Sequence, residues 1–522
     1  MKEQTSSYKV YEMDKQNPNL ESDDIKKDQK GIFIKNIFIL LTGTVFAQII
    51  SIFCAPIITR LYGPEAFGTL ALFTSLITTV GVIICLRYEI PILIAKTDKQ
   101  AANLLCLSLL ITVILSFLSI FLLFFGGEYL IQFLHSPQLK IYLWLIPPTL
   151  FVVGLFQTMM FWNTRTEHFK RLSLAKGANQ IAISGTQIGA GLNGYTNGGS
   201  LIFAYVFGQI MSCIVLSSQV VRDHYIFFRE SVSKDEILIV MKRYSNFPIF
   251  DTWSALIGSI TSSIPIFLLS AFFTLSVVGY YSLGMMVVQL PLSYIGSSLG
   301  QVFFQRASAL KHEGERQLSD FVEKIVLKLM IIGIFPTIVF LFLGQDLFIV
   351  IFGAQWAEAG VYTQIFAIWI FIMVIASPIS GLFAIFEQQK LILIYSIFAI
   401  FFRVIALYIG GIIGNVILTL VLFSLVSFFS YGVSLIWELR LSKVSIHSLL
   451  KKFVPYIIYC IPIIAIFLCS KWFIQDNSLF SVMLSMFLGI IYFFIVIRND
   501  EEYNVIANGL IDKIMNIIRQ KI

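Results

Sequence analysis

Fourteen runs of roughly twenty mostly apolar residues repeat along this 522-residue chain, and the repetition restricts it to one fold class: an all-α bundle integral to a membrane. A bilayer core of ~30 Å takes ~20 apolar residues per helical crossing. The runs fall near 35–58, 68–95, 102–125, 140–162, 172–192, 199–221, 247–273, 278–303, 321–343, 361–386, 391–410, 415–437, 453–470 and 479–497. Hydrophobic residues make up 57% of the chain and charged residues 13%, about half the share in ordinary soluble domains. In water that much apolar surface would associate with itself, whereas in lipid the surrounding solvent is apolar too. The fifth run, Leu172–Leu192, is polar and Gly-rich; it spans a membrane only if it faces protein or a water-filled cavity.

Lys and Arg set the orientation. With the amino terminus cytoplasmic, inside segments hold 32 of the 37, and outside loops hold only Arg60, Lys140 and Lys471. Arg87 and Arg403 remain within spans. The net charge of +7 is then a positive-inside signature with some attraction to anionic headgroups, and it calls for no nucleic acid. Residues 1–32 are polar and mixed in charge, without the apolar core and small-residue cleavage site of a signal peptide, and read as a disordered cytoplasmic tail. At the other terminus, Tyr503–Ile522 reads as an amphipathic surface helix within a cytoplasmic tail spanning 498–522.

Pro56 to Gly68 and Pro265 to Gly279 are similar passages: a Pro-bearing helix end, a tight outside turn closing on Gly, then another helix. Six helices separate them, so the two units share an orientation, as in a parallel repeat. The expected organisation is a six-helix lobe over 33–221, a cytoplasmic linker over 222–246, a second six-helix lobe over 247–440 and two additional spans over 441–497.

The six Cys lie within apolar runs without a C-x-x-C pair, and the five His are scattered near predicted loops. No nucleophilic triad, phosphate loop or zinc spacing is present, so no cofactor and no enzyme activity are expected. Chemistry is sought instead among the groups that lipid penalises, since each ionisable residue at mid-bilayer costs ~2.5–3.5 kcal/mol on insertion scales. Arg403 lies about twelve residues, or ~18 Å, into the eleventh span and should face a cavity or a carboxylate. Arg87 and Glu89 sit just before Pro91; two residues apart on a helix, they would point to different faces and not pair. Glu89 is a candidate proton or cation site, and Asp251, opening the seventh span, is either a helix cap or a second such site. Arg60 can pair with Glu65 across its turn or gate the outer mouth. Lys176, Gln180, Ser184 and Gln187 share one face of the fifth span and suit a hydrated cavity, with Gln48 and Gln289 adding polarity on the first and eighth. Gly185 and Gly189 on the fifth span form a small-xxx-small packing pattern. Together these residues suggest two lobes around a polar, partly cationic cavity suited to a large anionic, amphipathic cargo.

Thr59-Arg-Leu-Tyr-Gly-Pro-Glu-Ala-Phe-Gly68, preceded by Phe46-Ala-Gln48, resembles the Wzx-type oligosaccharide flippases of O-antigen and polysaccharide biosynthesis. Arg87-Tyr-Glu89, Tyr244-Ser-Asn-Phe-Pro248 and Val278-Gly-Tyr-Tyr281 fit the same pattern, over residues 33 to 440 and more loosely beyond. The resemblance implies the multidrug/oligosaccharidyl-lipid/polysaccharide exporter fold, with two six-helix bundles in a V and here two extra helices. It also implies a cargo of undecaprenyl-pyrophosphate-linked oligosaccharide, flipped to the outer leaflet of a bacterial inner membrane by alternating access. Membrane lipids, a polysaccharide polymerase and a chain-length regulator are the partners that such a pathway offers. Only Arg60, Arg87 and Glu89 occupy motif positions; Arg403 rests on its depth. A drug or ion antiporter of the same fold is the alternative within transport. A membrane glycan polymerase would need a sizeable outer loop, which this chain lacks, and an inert scaffold leaves Arg403 unexplained.

Overall fold

The structure, a computed structural model, describes residues 43–473 and 477–499, and the side chains of all of these except 290–298, 301, 470–473 and 499. Both expected tails, 1–32 and the Tyr503–Ile522 helix, lie outside the described residues. Among the described residues, fourteen helices of eighteen residues or more follow one another, one for each apolar run. They are α1 Gly43–Leu61, α2 Pro64–Gly81, α3 Asp98–Leu134, α4 Ile146–Arg165, α5 Phe169–Leu192, α6 Gly198–Ser231 and α7 Thr252–Phe272. Then come α8 Leu275–Glu313, α9 Glu315–Phe352, α10 Ala357–Ile379, α11 Gln389–Ile413, α12 Val416–Leu441, α13 Ile446–Phe473 and α14 Ser478–Asn499. Eleven of the described helices are long and apolar enough to cross a membrane; Leu275–Gln289 of α8 is a shorter apolar stretch, and α2 and α5 do not meet that test. A short helix, Lys234–Arg243, lies between α6 and α7.

Polar residues between the runs start the helices. Thr97, Asn197 and Asn415 cap α3, α6 and α12 through side-chain oxygens that accept backbone N–H groups. Outward faces are apolar: Phe117, Phe121, Phe124 and Phe125 on α3 are all exposed. Exposed ranks of Phe are expensive in water and natural against acyl chains. This is a multi-pass membrane protein.

Helices α1–α6 form one six-helix bundle and α7–α12 a second, in parallel pseudo-repeat. The remaining pair docks on the second bundle. Tyr492 of α14 donates to the Ile331 carbonyl of α9 at 2.8 Å and stacks on Phe335, with ring centroids 5.4 Å apart. The repeat expected from Gly68 and Gly279 has a geometric counterpart. Each glycine is the fifth residue of its helix, α2 and α8. A Cβ on Gly68 would collide with the Leu275 carbonyl, and one on Gly279 with the Pro64 carbonyl. The two helices therefore meet backbone to backbone, each supplying the glycine that the other needs. Around this contact the bundles reach across in a matching way. The loop before α10 donates from Trp356 Nε1 to the Thr59 carbonyl at the end of α1, at 2.8 Å. The turn before α4 places Ser136 Oγ 3.0 Å from Ser270 Oγ at the end of α7. Away from this end, α2 and α7 stay in register: Ser259 donates to the Thr78 carbonyl and Thr79 to Ser263, both at 3.1 Å.

The second apolar run is not one continuous helix. After α2 ends at Gly81, residues 82–90 form successive turns, and a four-residue helix, Pro91–Ile94, completes the crossing. Pro91 explains the position of the break, because in a continued helix its ring would clash with the carbonyl four residues earlier, that of Arg87. Leu86 and Arg87 adopt left-handed backbone, with φ of 47° and 62°. For non-glycine residues that conformation costs on the order of 1–3 kcal/mol and persists only where its surroundings hold it.

Candidate functional site

Arg403 is the fifteenth residue of α11, about 21 Å along it at 1.5 Å per residue, so its charge lies deep within the apolar layer. It lines a cavity of about 180 Å³ walled by α7, α8, α10, α11 and α12, inside the second bundle. Its guanidinium carbon lies 5.2 Å from the ring centre of Tyr431, and Tyr431 stacks on Trp369 with centroids 5.9 Å apart. Tyr281 and Phe423 add further aromatic wall, edge to face at 6.5 Å. A guanidinium over an aromatic face gains cation–π energy, up to ~2 kcal/mol when desolvated, which is smaller than the cost of its burial. Among the described residues no carboxylate lines this cavity. Instead, donors converge without partners: Arg403 Nε, Trp369 Nε1 and Ser427 Oγ are buried and make no hydrogen bond. Buried polar groups left unpaired cost ~1–3 kcal/mol each, more when charged. A cavity with a fixed cation, spare donors and no acid is built to receive an acceptor of negative charge. Gln289 and Ser262 lie at its exposed margin.

A second constellation occupies the break in the second span. Arg87 Nε donates to Asp251 Oδ2 at 2.7 Å, linking the first bundle to the start of the second, while its Nη1 lies 3.8 Å from Glu89 Oε1. The expected separation of Arg87 and Glu89 onto different faces is corrected here, because the segment is not helical and its left-handed turn brings the two side chains to one side. Glu89 is 2% exposed and its Oε2 has no hydrogen-bond partner. Asp251 makes no side-chain cap to α7; its carboxylate is committed to Arg87.

Other expected residues lie apart from both places. On α5, Gln180 donates to Ser184 at 2.9 Å, and Lys176 donates to Thr44 of α1 at 3.3 Å. Gln187 is buried, its carbonyl accepting from Tyr62 at 2.8 Å, and Gln48 is half-buried on α1. Lys176 thus reaches α1, and none of these residues is among those lining the Arg403 cavity. A Cβ on Gly185 or Gly189 would meet nothing within 4 Å, so the small-xxx-small pattern is not a packing seam; a close approach between α5 and α6 is at Gly208, against Ile183. Arg60 does not pair with Glu65. It donates to the Val350 carbonyl of the second bundle at 2.9 Å, while Glu65 accepts from Gln138.

The aromatic and hydroxyl walls of the Arg403 cavity were not legible as a site beforehand, nor was Glu438. Ser427, Tyr431, Ser434 and Glu438 follow at spacings of 4, 3 and 4 along one face of α12, a periodicity that would have exposed them. Glu438 is fully buried, accepts from Ser434 at 2.8 Å and leaves its Oε2 without a partner. Among the described residues no three His, Cys, Asp or Glu side chains gather as metal ligands.

Known folds resemble this arrangement. Lipid II flippase MurJ, in an inward closed conformation, superposes with a TM-score of 0.64 at 14% identity, covering 88% of this chain and 99% of that one. An inward-facing multidrug resistance MATE family transporter of the MOP superfamily superposes with a TM-score of 0.59 at 15% identity, covering 79% and 99%. No curated protein matches the sequence. The polysaccharide biosynthesis protein family does match it, over residues 57–361, a span that runs from the last turn of α1 through the rest of the first bundle and the reciprocal Gly68–Gly279 contact to the start of α10. The chain belongs to the polysaccharide biosynthesis protein family.

Proposed function

We propose that this protein flips oligosaccharide repeat units linked to undecaprenyl pyrophosphate from the cytoplasmic to the outer leaflet of a bacterial inner membrane, for O-antigen or capsule synthesis. The observation that carries the reading is the Arg403 cavity: a half-buried cation at mid-span, its Nε unpartnered, with no carboxylate among the described lining residues. A sugar head group cannot cross hydrocarbon unaided, because each hydroxyl would lose its hydrogen bonds. A two-bundle protein that closes at one end and offers donors within lets the head group exchange water for protein, while the isoprenoid tail stays in lipid. The basic ends of the spans are cytoplasmic in this reading, as are both termini.

Arg403, Arg87, Arg60, Lys176, Gln180, Gln187 and Gln48 are assigned to the path of the cargo. Glu89 and Asp251 are assigned to ion coupling: both carboxylates share Arg87, so a proton or cation arriving at either changes the hold between bundles. A polymerase and a chain-length regulator would receive the product. The protein acts as a translocase and leaves its cargo chemically unchanged. Export of cationic drugs, the alternative on the same fold, suits this cavity poorly, since Arg403 repels them.

The test is reconstitution. Proteoliposomes holding the purified chain and a fluorescent undecaprenyl-pyrophosphate-linked trisaccharide should expose the sugar to an external lectin or glycosidase faster than protein-free vesicles. Equal rates with and without protein, for cargoes of several sugar compositions, would remove the flippase reading.

A further inference from the structure

We infer that the Arg403 cavity is a subsite for one acidic sugar of the cargo, a ring of uronic-acid type whose carboxylate pairs with the guanidinium. The inference rests on the flippase reading and narrows its substrate class. Size comes first. About 180 Å³ is room for roughly six waters at ~30 Å³ each, and lies below the ~300–1,000 Å³ of whole-ligand pockets. One sugar ring fits; an oligosaccharide does not.

Charge comes next. One guanidinium neutralises one carboxylate. A pyrophosphate brings at least two negative charges, and with no second cation among the described lining residues it would leave charge uncompensated at low dielectric, which costs several kcal/mol. The third argument is the wall. Trp369, Tyr281 and Tyr431 line the space, and aromatic faces accept the C–H side of a pyranose while its hydroxyls remain free to bond. Two donors on lining residues lack partners, Trp369 Nε1 on a residue 4% exposed and Ser427 Oγ on one fully buried, so a small side-chain shift is needed to bring them to a hydroxyl. A neutral sugar would leave Arg403 without a counter-ion, so the site discriminates by what it would otherwise leave unpaired.

Two cargoes identical except for glucuronic acid against glucose, each on undecaprenyl pyrophosphate, are to be flipped in the same proteoliposomes. The acidic cargo should cross at least about tenfold faster, the factor that 1.4 kcal/mol makes. In Arg403→Gln the ratio should fall to about twofold or less, and Arg403→Lys, which keeps the charge without the planar fork, should fall between. Equal rates for both cargoes in the unmodified protein, or a ratio unchanged in Arg403→Gln, would overturn the acidic-sugar assignment and leave the flippase reading standing. Failure of both cargoes to cross would remove the flippase reading and this inference with it. Calorimetry on the purified protein supplies a readout independent of transport. D-glucuronate should bind and weaken about tenfold or more in Arg403→Gln, while D-glucose binds far less. Inorganic pyrophosphate binding more tightly than glucuronate, in an Arg403-dependent manner, would make the cavity a phosphate site and overturn the assignment.

Discussion

The two arginines within spans, Arg87 and Arg403, both half-buried, meet opposite fates. Arg87 sits in a broken segment of the first bundle beside two carboxylates, Asp251 at 2.7 Å and Glu89 at 3.8 Å. Arg403 sits in an unbroken helix of the second bundle among aromatic rings and hydroxyls, with its Nε unpartnered. The same side chain is neutralised from within in one place and left open in the other. The first arrangement holds bundles together; the second leaves a place for something that arrives.

The comparison breaks most readily at Arg403. Arg403→Glu should abolish cargo transfer, with a loss of a hundredfold or more, because a charge-assisted contact worth up to ~3 kcal/mol becomes a repulsion. Protein abundance in the membrane, by immunoblot, should stay near normal; an equal loss of abundance would make Arg403 a folding residue. Next in size is Arg87→Ala, which strands the buried Glu89. It should lower unfolding stability by about 3 kcal/mol, the low end for breaking a buried pair, since Arg87 is a quarter exposed. Adding Glu89→Gln should recover most of that loss in thermal unfolding of purified protein, and a double variant no more stable than the single one would refute the pairing argument. Glu438→Gln should leave transport within about threefold and change stability by no more than ~1 kcal/mol, because the side chain keeps its shape and an amide oxygen can still accept from Ser434. A large transport defect there would move the ion-coupling role from Glu89 to α12. Smallest is Trp369→Phe, which keeps the ring and deletes one donor: a twofold to fivefold slowing, the scale of one neutral hydrogen bond at ~0.5–1 kcal/mol, read as initial flipping rate.

Much of the architecture is legible in one dimension because lipid forces each crossing to declare itself. A run such as 479–497 has few structures open to it in hydrocarbon, and the helix Ser478–Asn499 follows. The repeat was visible through Gly68 and Gly279 for a related reason, since backbone-to-backbone contact excludes every other residue. Local spacing, by contrast, misled where helical geometry failed. Arg87 and Glu89 are separated on an ideal helix and meet only because Pro91 breaks the one they occupy.

By itself, then, the sequence determined that this chain threads a membrane in many helical passes, that its halves repeat in one orientation and that its buried charges are few. Tertiary structure alone decided which of those charges would be satisfied. Pairing depends on what the other helices bring near. Asp251 lies 164 positions from Arg87 and still reaches it, whereas the described residues that line the Arg403 cavity supply rings, hydroxyls and an amide but no acid. Periodicity along one helix reports which way a residue faces, and only packing between helices reports what it faces.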